Sequence, residues 1–201
     1  MKNLYLIRHG KTAANYARLY CGSTDLPLDE NGALELRQLS VGAGYPDISA
    51  CRVLTSTLVR TEQTLLELYG DMPHETVPEF NEMDFGSFEM YSYEQLRDDP
   101  EYQRWITGDN EKNICPGGES AEQMRERALG KLIPLIREER RDVCIFTHGG
   151  VIACFMQELF PGAGKNRYQW QPENGKGYAV SFEDGEPLGF AEIPPERPER
   201  Q

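Results

Sequence analysis

Three short apolar segments of the sequence are each followed at once by side chains that can bind or attack a phosphoryl group. Arginine offers a planar fork of donors that matches phosphate oxygens. A histidine can take a phosphoryl group onto a ring nitrogen, and glycine lets the backbone approach an anion closely. The residues that follow the three segments are Arg8, His9 and Gly10, then Ser56 and Arg60, then His148, Gly149 and Gly150.

The apolar segments cover residues 3–7, 52–55 and 142–147. The first has no polar alternation, which is typical of a strand that is covered on both faces. Short strands that alternate with helical patterns predict an α/β fold, and we expect a three-layer sandwich with a mainly parallel central sheet flanked by helices. The ligand crevice of such a sheet lies beyond the carboxyl ends of its strands, so the phosphate-binding candidates should converge there.

Capping residues and turn residues bound the other predicted elements. A capping box at Ser120 opens a long helix, which Pro134 is expected to kink or split. Asp184 and Gly185 predict the turn of a terminal hairpin, and the tail from Pro194 should fray. The helices are predicted at residues 30–41 after Asp29, at about 57–69 between Ser56 and Gly70, from 121 to about 140, and at 149–160, with hairpin strands at 178–182 and 188–193.

The segment from residue 72 to about residue 118 is the least regular part of the chain. It carries four prolines and one predicted helix near residues 92–106. We interpret it as a cap-like insertion within a single domain that spans residues 1–201. Its stretch from residue 79 to residue 101 holds eight acids and one base, a net charge of −7.

The composition excludes several classes of function. With 21 Lys and Arg against 33 Asp and Glu, the 201-residue chain carries a net charge of −12, which disfavours nucleic acid and anionic membranes as partners. No signal peptide or membrane-spanning segment is recognisable, so a cytoplasmic location is expected. Five scattered cysteines and three histidines form no metal-ligand pattern, and neither a metal nor a cofactor is expected. The oligomeric state stays open.

Taken together, the motifs resemble those of the histidine phosphatase superfamily, also called the phosphoglycerate-mutase-like family. They occur in the family's order over roughly residues 4–151. Lys11 stands where glutamate is common, and a Glu-Leu pair at residues 35–36 replaces a frequent Gln-Ala pair, outside the proposed chemistry. The matching segments are residues 6–12 with Asn15, residues 55–60 with Gln63 and Thr64, residues 79–89, residues 116–120, and residues 147–150.

The resemblance implies a role for each matching residue. His9 would be the nucleophile that becomes phosphohistidine, and Glu82 would protonate the leaving alcohol and later activate water, with Glu89 as the alternative acid. The four residues that would hold the phosphoryl oxygens are Arg8, Asn15, Arg60 and His148. Because these donors would stabilise the transferring group, the expected enzyme is a metal-independent phosphomonoesterase acting on a small-molecule phosphate ester.

The acid segment is most similar to that of the α-ribazole phosphatase branch, whose members remove a 5′-phosphate from a nucleoside-like substrate. Aromatic residues could then line a pocket for a ring system, although simple packing of the irregular segment explains them equally well. The alternatives are phosphoglycerate mutase activity and a non-catalytic module that binds phosphorylated ligands. The aromatic candidates are Phe85, Phe88, Tyr91, Tyr93 and Trp105.

Overall fold

The computed structural model describes residues 1–41, 44–109 and 111–194. Six strands in this part of the chain form one sheet in the order β3-β2-β4-β1-β5-β6. The first four strands in this order pair in parallel. Strand β5 pairs antiparallel with β1, and β6 pairs antiparallel with β5. The strands are β1 (Lys2–Arg8), β2 (Arg52–Thr55), β3 (Glu75–Thr76), β4 (Val143–Thr147), β5 (Gly177–Glu183) and β6 (Glu186–Ile193).

Eight α-helices connect or follow these strands in the described residues, and three short 3-10 helices cover Pro78–Phe80, Gly86–Phe88 and Pro161–Ala163. None of these helices is long and apolar enough to cross a lipid bilayer. The α-helices are α1 (Ala13–Tyr16), α2 (Glu30–Ser40), α3 (Val59–Tyr69), α4 (Tyr93–Leu96), α5 (Pro100–Ile106), α6 (Ala121–Glu138), α7 (Gly149–Leu159) and α8 (Arg167–Trp170).

The sheet separates two hydrophobic clusters, which confirms the predicted three-layer sandwich. Side chains of β1 alternate between them, because successive residues of a strand point to opposite faces. Leu4 and Leu6 belong to the larger cluster, which α6 and α7 cover. Ile7 belongs to the smaller cluster, which includes Leu65 of α3. The buried central strands therefore hold the residues that follow them in fixed positions.

Strand register brings the three candidate motifs side by side. Arg8 at the end of β1 lies opposite Thr147 at the end of β4. Thr55 at the end of β2 lies opposite Phe146 of β4. The three strands are neighbours and end at the same edge, so the sequence-based expectation that their carboxyl ends converge is confirmed.

Helix α3 begins at Val59, two residues later than predicted. The Ser56 hydroxyl accepts a hydrogen bond from the Leu58 N–H at 3.2 Å, which is an interaction of a tight turn rather than of the helix itself. The Thr57 N–H donates to Asn81 Oδ1 at 2.9 Å, so an element distant in sequence holds this residue outside the helix. Helix α2 begins after Asp29, whose side chain accepts from the Asn31 N–H as predicted.

The predicted helix near residues 92–106 is two helices, α4 and α5. The Asp99 side chain accepts from the N–H groups of Glu101 and Tyr102, and Pro100 occupies the first turn of α5, so a new N-terminus forms there. Helix α6, in contrast, is not split at Pro134. Pro134 and Gly130, the residue whose carbonyl loses its helical partner, are both exposed, so solvent can satisfy that carbonyl.

Much of the irregular segment from residue 72 to residue 118 is anchored in the main core. Its β3 extends the sheet edge, a strand that the sequence did not predict. Phe80, Phe88 and Tyr102 are almost fully buried in the larger cluster. The hairpin forms as predicted, with Asp184 and Gly185 at φ 51° and 86° in the turn. The predicted fraying of the tail concerns residues 195–201, which lie outside the described residues.

Candidate active site

His9 follows β1 and is the most fully constrained of the candidate residues. Its backbone N–H donates to the Thr147 carbonyl at 2.9 Å, which extends the pairing of β1 with β4 by one residue. Its ring Nδ1 lies 2.6 Å from the carbonyl oxygen of Gly10. A carbonyl oxygen only accepts, so Nδ1 carries the ring proton and Nε2 keeps its lone pair. His9 is 6% exposed, and Nε2 is therefore the unprotonated nitrogen of a buried, oriented imidazole.

His148 caps the start of α7 and lies beside His9. The two ring centroids are 5.1 Å apart. His148 Nε2 shares a hydrogen bond of 2.9 Å with the hydroxyl of Ser56, which joins the ends of β2 and β4. Its other ring nitrogen, Nδ1, is buried without a hydrogen-bond partner.

Two arginines place positive charge at the same point. Arg8 donates from Nη1 to the Pro172 carbonyl at 2.8 Å. Arg60, 1% exposed, donates from Nη2 and Nη1 to the carbonyls of Gly22 and Thr24 at 2.7 and 2.9 Å. Neither arginine has a carboxylate within ion-pair distance among the described residues. Burial lowers the pKa of both guanidinium groups, but arginine stays charged at any physiological pH.

The buried cations and the low-dielectric interior keep both histidines neutral. Burial is the largest cause and lowers the pKa of His9 well below its usual value, and the charges of Arg60 and Arg8 lower it further. The pKa of His148 is lowered in the same way, first by burial and then by Arg60. A neutral His9 is available as a nucleophile at neutral pH.

We expect the free energy of unfolding to fall when the pH drops below about 6.5. In the unfolded chain both histidines bind protons near that pH, whereas the folded chain holds them neutral until their lowered pKa is reached. The stability is therefore fully present above the unfolded pKa and decreases by up to about 1.4 kcal/mol per pH unit for each histidine below it. Urea unfolding at pH 7.5, 6.5 and 5.5 measures the slope.

The exposed third histidine, His74, provides the control for this pH dependence. His74→Gln should leave the slope unchanged, whereas His148→Asn should remove about half of it, because one of two linked groups is gone. A free energy of unfolding that stays constant from pH 7.5 to pH 5.5 would contradict the buried, neutral state of both rings.

Four buried side-chain nitrogens at this site lack a hydrogen-bond partner. They are Arg8 Nε, Arg60 Nε and His148 Nδ1 at the strand ends and Trp105 Nε1 in the cavity wall. A buried polar atom without a partner costs about 1–3 kcal/mol, and such atoms are rare in folded proteins. Three of the four lie on residues that follow neighbouring strand ends, which makes this edge of the sheet the candidate ligand-binding site.

Asn15 contributes a further donor. Its Oδ1 accepts from the backbone N–H and the hydroxyl of Thr12 at 2.9 and 3.1 Å, in a capping box at the start of α1. The side-chain amide is thereby oriented with its oxygen engaged, and Nδ2 is free to donate into the cavity that Asn15 lines.

Glu82 lines the same cavity as Arg8, His9 and Asn15 and is held by backbone N–H groups. Its Oε2 accepts from the Gly150 N–H at 2.9 Å, in the first turn of α7, and its Oε1 accepts from its neighbour Met83 at 3.0 Å. A Cβ added at Gly150 would lie 2.4 Å from Glu82 Oε1, so the carboxylate would have to shift if this residue were not glycine. Gly150 therefore lets Glu82 approach the first turn of α7.

Arg127 of α6 positions the loop that carries Glu82, a role that the sequence did not reveal. Its guanidinium donates to the backbone carbonyls of Glu79, Asn81 and Glu82 at 2.8, 2.8 and 2.9 Å, and it forms an ion pair with Glu119. An arginine inside an amphipathic helix is ordinarily a solvated residue, so only the tertiary contacts distinguish Arg127.

The segment before β5 also reaches the site without any prior sign in the sequence. The Pro172 carbonyl binds Arg8, as described above, and the Asn174 side chain donates from Nδ2 to the His9 carbonyl at 3.0 Å. The Asn-Gly pair at residues 174–175 was a local turn signal. Nothing in it indicated that the turn lies against His9.

The site opens into a cavity of about 430 Å³. Its lining combines polar residues, among them Arg8, His9, Asn15 and Glu82, with apolar and aromatic ones, whereas Arg60 and His148 are not among the lining residues. Of the five aromatic candidates, Phe85 and Trp105 line the cavity, whereas Phe88 is buried in the core and Tyr91 and Tyr93 are about half exposed away from it. The aromatic wall is completed by Tyr20 and Tyr168.

The described residues contain no cluster of three His, Cys, Asp or Glu side chains that could hold a metal ion. The positive charge of the site comes from Arg8 and Arg60. The arrangement of a neutral imidazole, several unused donors and a facing carboxyl group is suited to the transfer of one phosphoryl group from a small molecule.

Comparison with known families identifies the superfamily of the chain. The family model of the histidine phosphatase superfamily (branch 1) matches residues 4–189. The chain belongs to this superfamily. The match runs from β1 into β6 and includes the buried histidines and the loop of Glu82, so the family resemblance inferred from the motifs is confirmed.

Individual relatives of the superfamily match over almost the whole chain. An adenosylcobalamin/α-ribazole phosphatase of Salmonella typhimurium (strain LT2) is 31% identical over 188 residues, which are 90% of this chain and 91% of the relative. The crystal structure of the α-ribazole phosphatase from Shigella flexneri superposes with a TM-score of 0.82 at 26% identity, covering 98% of this chain and 100% of that one. A protein of Enterobacter sp. (strain 638) named "probable phosphoglycerate mutase" is 27% identical over 79% of this chain and 75% of its own length.

These comparisons make the chain a phosphatase of the histidine phosphatase superfamily, a hydrolase of small-molecule phosphate esters. The fold prediction is confirmed by the same structural match.

Proposed function

We propose that this histidine phosphatase removes a terminal phosphate from a nucleoside-like phosphomonoester through a phosphohistidine at His9. The hydrogen bond from His9 Nδ1 to Gly10 supports Nε2 as the attacking atom. In the first step a bond forms between Nε2 and phosphorus, and the bond between phosphorus and the ester oxygen breaks. The departing alkoxide takes a proton and leaves as the alcohol.

The observation that carries this proposal is the set of unpartnered buried nitrogens on Arg8, Arg60 and His148. In the bound state the side chains of Arg8, Arg60 and His148, with Asn15 Nδ2, would donate to the oxygens of the phosphoryl group. Donors that are fixed in place before the reaction stabilise the charge that develops in the transition state, at no cost of reorganisation. This array could replace a metal ion as the source of positive charge.

Glu82 is proposed as the group that moves the proton. The protonated carboxyl gives its proton to the leaving alkoxide, and the resulting carboxylate then takes a proton from the water that attacks phosphohistidine. Orthophosphate leaves, and His9 and Glu82 return to their starting states. The location of Glu82 in the cavity wall supports this assignment over Glu89, which does not line the cavity.

The first substrate candidate is α-ribazole 5′-phosphate. The names of the relatives in Salmonella and Shigella support it. So does the cavity, because the apolar wall with Tyr20, Phe85 and Trp105 is large enough for an aromatic ring system beyond the phosphate-binding end.

The proposal includes the cellular setting. The net charge of −12 supports the inferences that nucleic acid and anionic membranes are not partners and that the site admits one phosphate on a small molecule. We also propose a cytoplasmic location and a reaction without cofactor. The chain is proposed to form a single domain, with residues 72–118 as a cap-like insertion.

A panel of phosphomonoesters tests the proposal. Purified protein is assayed for orthophosphate release from α-ribazole 5′-phosphate, nucleoside 5′-phosphates, sugar phosphates and phosphoglycerates, with and without EDTA, and mutase activity is scored in parallel with 2,3-bisphosphoglycerate. We expect the highest kcat/KM for a 5′-phosphate that carries an aromatic base, and a rate unchanged by EDTA. Strict Mg²⁺ dependence would contradict the mechanism, and faster phosphoglycerate isomerisation than hydrolysis would favour the mutase alternative.

A further inference from the structure

The carboxylate of Glu89 joins two loops of the active site. Its Oε1 accepts from the N–H groups of Gly22 and Ser23, both at 3.0 Å, and its Oε2 accepts from the Thr24 hydroxyl at 2.7 Å. The same carboxylate accepts from the N–H of Phe85 in its own loop at 3.0 Å. No basic side chain lies within ion-pair distance of it among the described residues. Backbone N–H groups and a hydroxyl therefore satisfy this carboxylate.

The opposite side of the loop at residues 22–24 binds Arg60. The peptide group between Gly22 and Ser23 forms hydrogen bonds with both the Glu89 carboxylate and the Arg60 guanidinium. Its N–H donates to Glu89 Oε1, and its carbonyl, on Gly22, accepts from Arg60 Nη2 at 2.7 Å. The dipole of this peptide group is aligned from carboxylate to guanidinium, so each of its two hydrogen bonds strengthens the other.

The contact between the loops is too close to allow much movement. A Cβ added at Gly22 would lie 1.6 Å from the carbonyl oxygen of Met83 and 2.8 Å from Glu89 Oε1. The Ser23 hydroxyl donates to Asp84 Oδ1 at 2.9 Å. The loop that holds Arg60 is thus fixed against the loop that carries Glu82.

Arg60 depends on this loop because its guanidinium has no other hydrogen-bond partner in the described part of the chain. Two of its five N–H donors bind the loop carbonyls, and the buried Nε has none. The loop carbonyls determine the plane of the guanidinium and hence where its unused donors point.

We propose that Glu89 is a positioning residue that orients Arg60 toward the phosphoryl group through the Gly22–Ser23 peptide. This inference rests on the proposed function, in which Arg60 binds the transferring phosphoryl group. Glu89 itself does not touch the substrate and does not supply the proton.

Glu89→Gln is expected to lower kcat/KM by about 10- to 100-fold, the loss found when a residue that orients a metal ligand is replaced, taken here for a residue that orients a phosphate-binding arginine. Glutamine keeps one acceptor oxygen but turns an NH₂ group toward backbone N–H donors. Because Arg60 acts on the phosphoryl group and not on the alcohol, the loss should be equal for an alkyl phosphate and for 4-nitrophenyl phosphate. Glu89→Asp, which keeps a carboxylate, should recover part of the loss.

A double-mutant cycle tests whether Glu89 acts through Arg60. In an Arg60→Met background, Glu89→Gln should change kcat/KM by less than about twofold, since coupled residues are non-additive. Losses that multiply would overturn the proposal. Thermal unfolding of each variant is measured alongside, and Glu94→Gln, which removes an exposed acid of the same segment, should leave kcat/KM unchanged.

Leaving-group dependence separates the two possible roles of Glu89. A loss confined to the alkyl phosphate would make Glu89 a proton donor and overturn the positioning role. Binding of orthovanadate, followed by fluorescence or calorimetry, reports on the donor array without turnover. If the wild type hydrolyses no ester of the panel, the proposed function fails, and weaker vanadate binding by Glu89→Gln would still support the link to Arg60. Unchanged vanadate affinity would contradict it.

Discussion

Replacing His9 by alanine is expected to abolish the hydrolysis of phosphomonoesters, with a fall in kcat of about 10⁴-fold or more, because no other group at the site can take its place as nucleophile. Nε2 of His9 is oriented by the bond from Nδ1 to Gly10, whereas His148 engages its own Nε2 with Ser56. The measurement is steady-state release of 4-nitrophenol and of orthophosphate. Wild-type protein quenched in base should carry one acid-labile phosphoryl group, and His9→Ala should carry none.

His74→Ala is the matched control, because His74 is exposed and lies outside the cavity. It should retain both turnover and the phosphoryl label. Turnover of His9→Ala at a rate close to the wild type, or a label that persists on His148, would contradict the assignment of the nucleophile.

Replacing Glu82 by glutamine should lower kcat/KM for an alkyl phosphate by about 10²- to 10⁴-fold, the contribution typical of a positioned general acid. The kcat/KM for 4-nitrophenyl phosphate should change little, because nitrophenolate leaves without a proton. Its kcat should nevertheless fall, since in the proposed mechanism Glu82 also activates the water that attacks phosphohistidine. A stopped-flow experiment should therefore show a burst of one nitrophenolate per enzyme followed by slow turnover.

The matched control for Glu82 is Glu101→Gln, which removes another carboxylate of the acidic segment at a highly exposed position. It should leave both substrates unaffected. An equal loss for alkyl and aryl phosphates with Glu82→Gln, without a burst, would show that Glu82 acts by holding the loop or the phosphate and not by moving a proton.

The phosphate-binding end of the site could be predicted from the sequence for a physical reason. Buried strands have continuous apolar runs, and parallel strands end at one edge, so Arg8, His9 and His148 could be located from strand pattern alone. Their burial follows from the same arrangement. The structure adds the tautomer of His9 and the unpartnered nitrogens, which depend on atoms a few ångströms apart.

The acid side of the site could be predicted only in part. Glu82 was one of eight acids in its segment, and only the family resemblance distinguished it. Its anchors are the Gly150 N–H and the guanidinium of Arg127, which grips the carbonyls of the loop. Every residue type except proline has the same backbone N–H group, so the sequence does not show which N–H will bind Glu82. Arg127 is distant from Glu82 in the sequence, and such pairs have no characteristic sequence spacing. Neither contact could therefore be predicted.

Hydrogen bonds and capping residues near the helix ends explain where the observed helix boundaries differ from the predicted ones. The pattern from Ser56 indicated a helix two residues too early because Thr57 is bound by Asn81, which is distant in sequence. The break between α4 and α5 was readable in principle, since Asp99 followed by Pro100 is a typical N-terminus. The helical pattern of the sequence continues across this break, so the pattern alone predicted one helix.

The central position of β1 has a consequence for protein synthesis. Of the six strands this one is made before the others, but its two neighbours are β4, at Val143–Thr147, and β5, at Gly177–Glu183. On the ribosome His9 therefore lacks its neighbouring strands until β4 and β5 have been made, and the contacts from Pro172 and Asn174 form only after these residues emerge. Catalytic competence should appear only once β5 has emerged and its antiparallel pairing with β1 has formed.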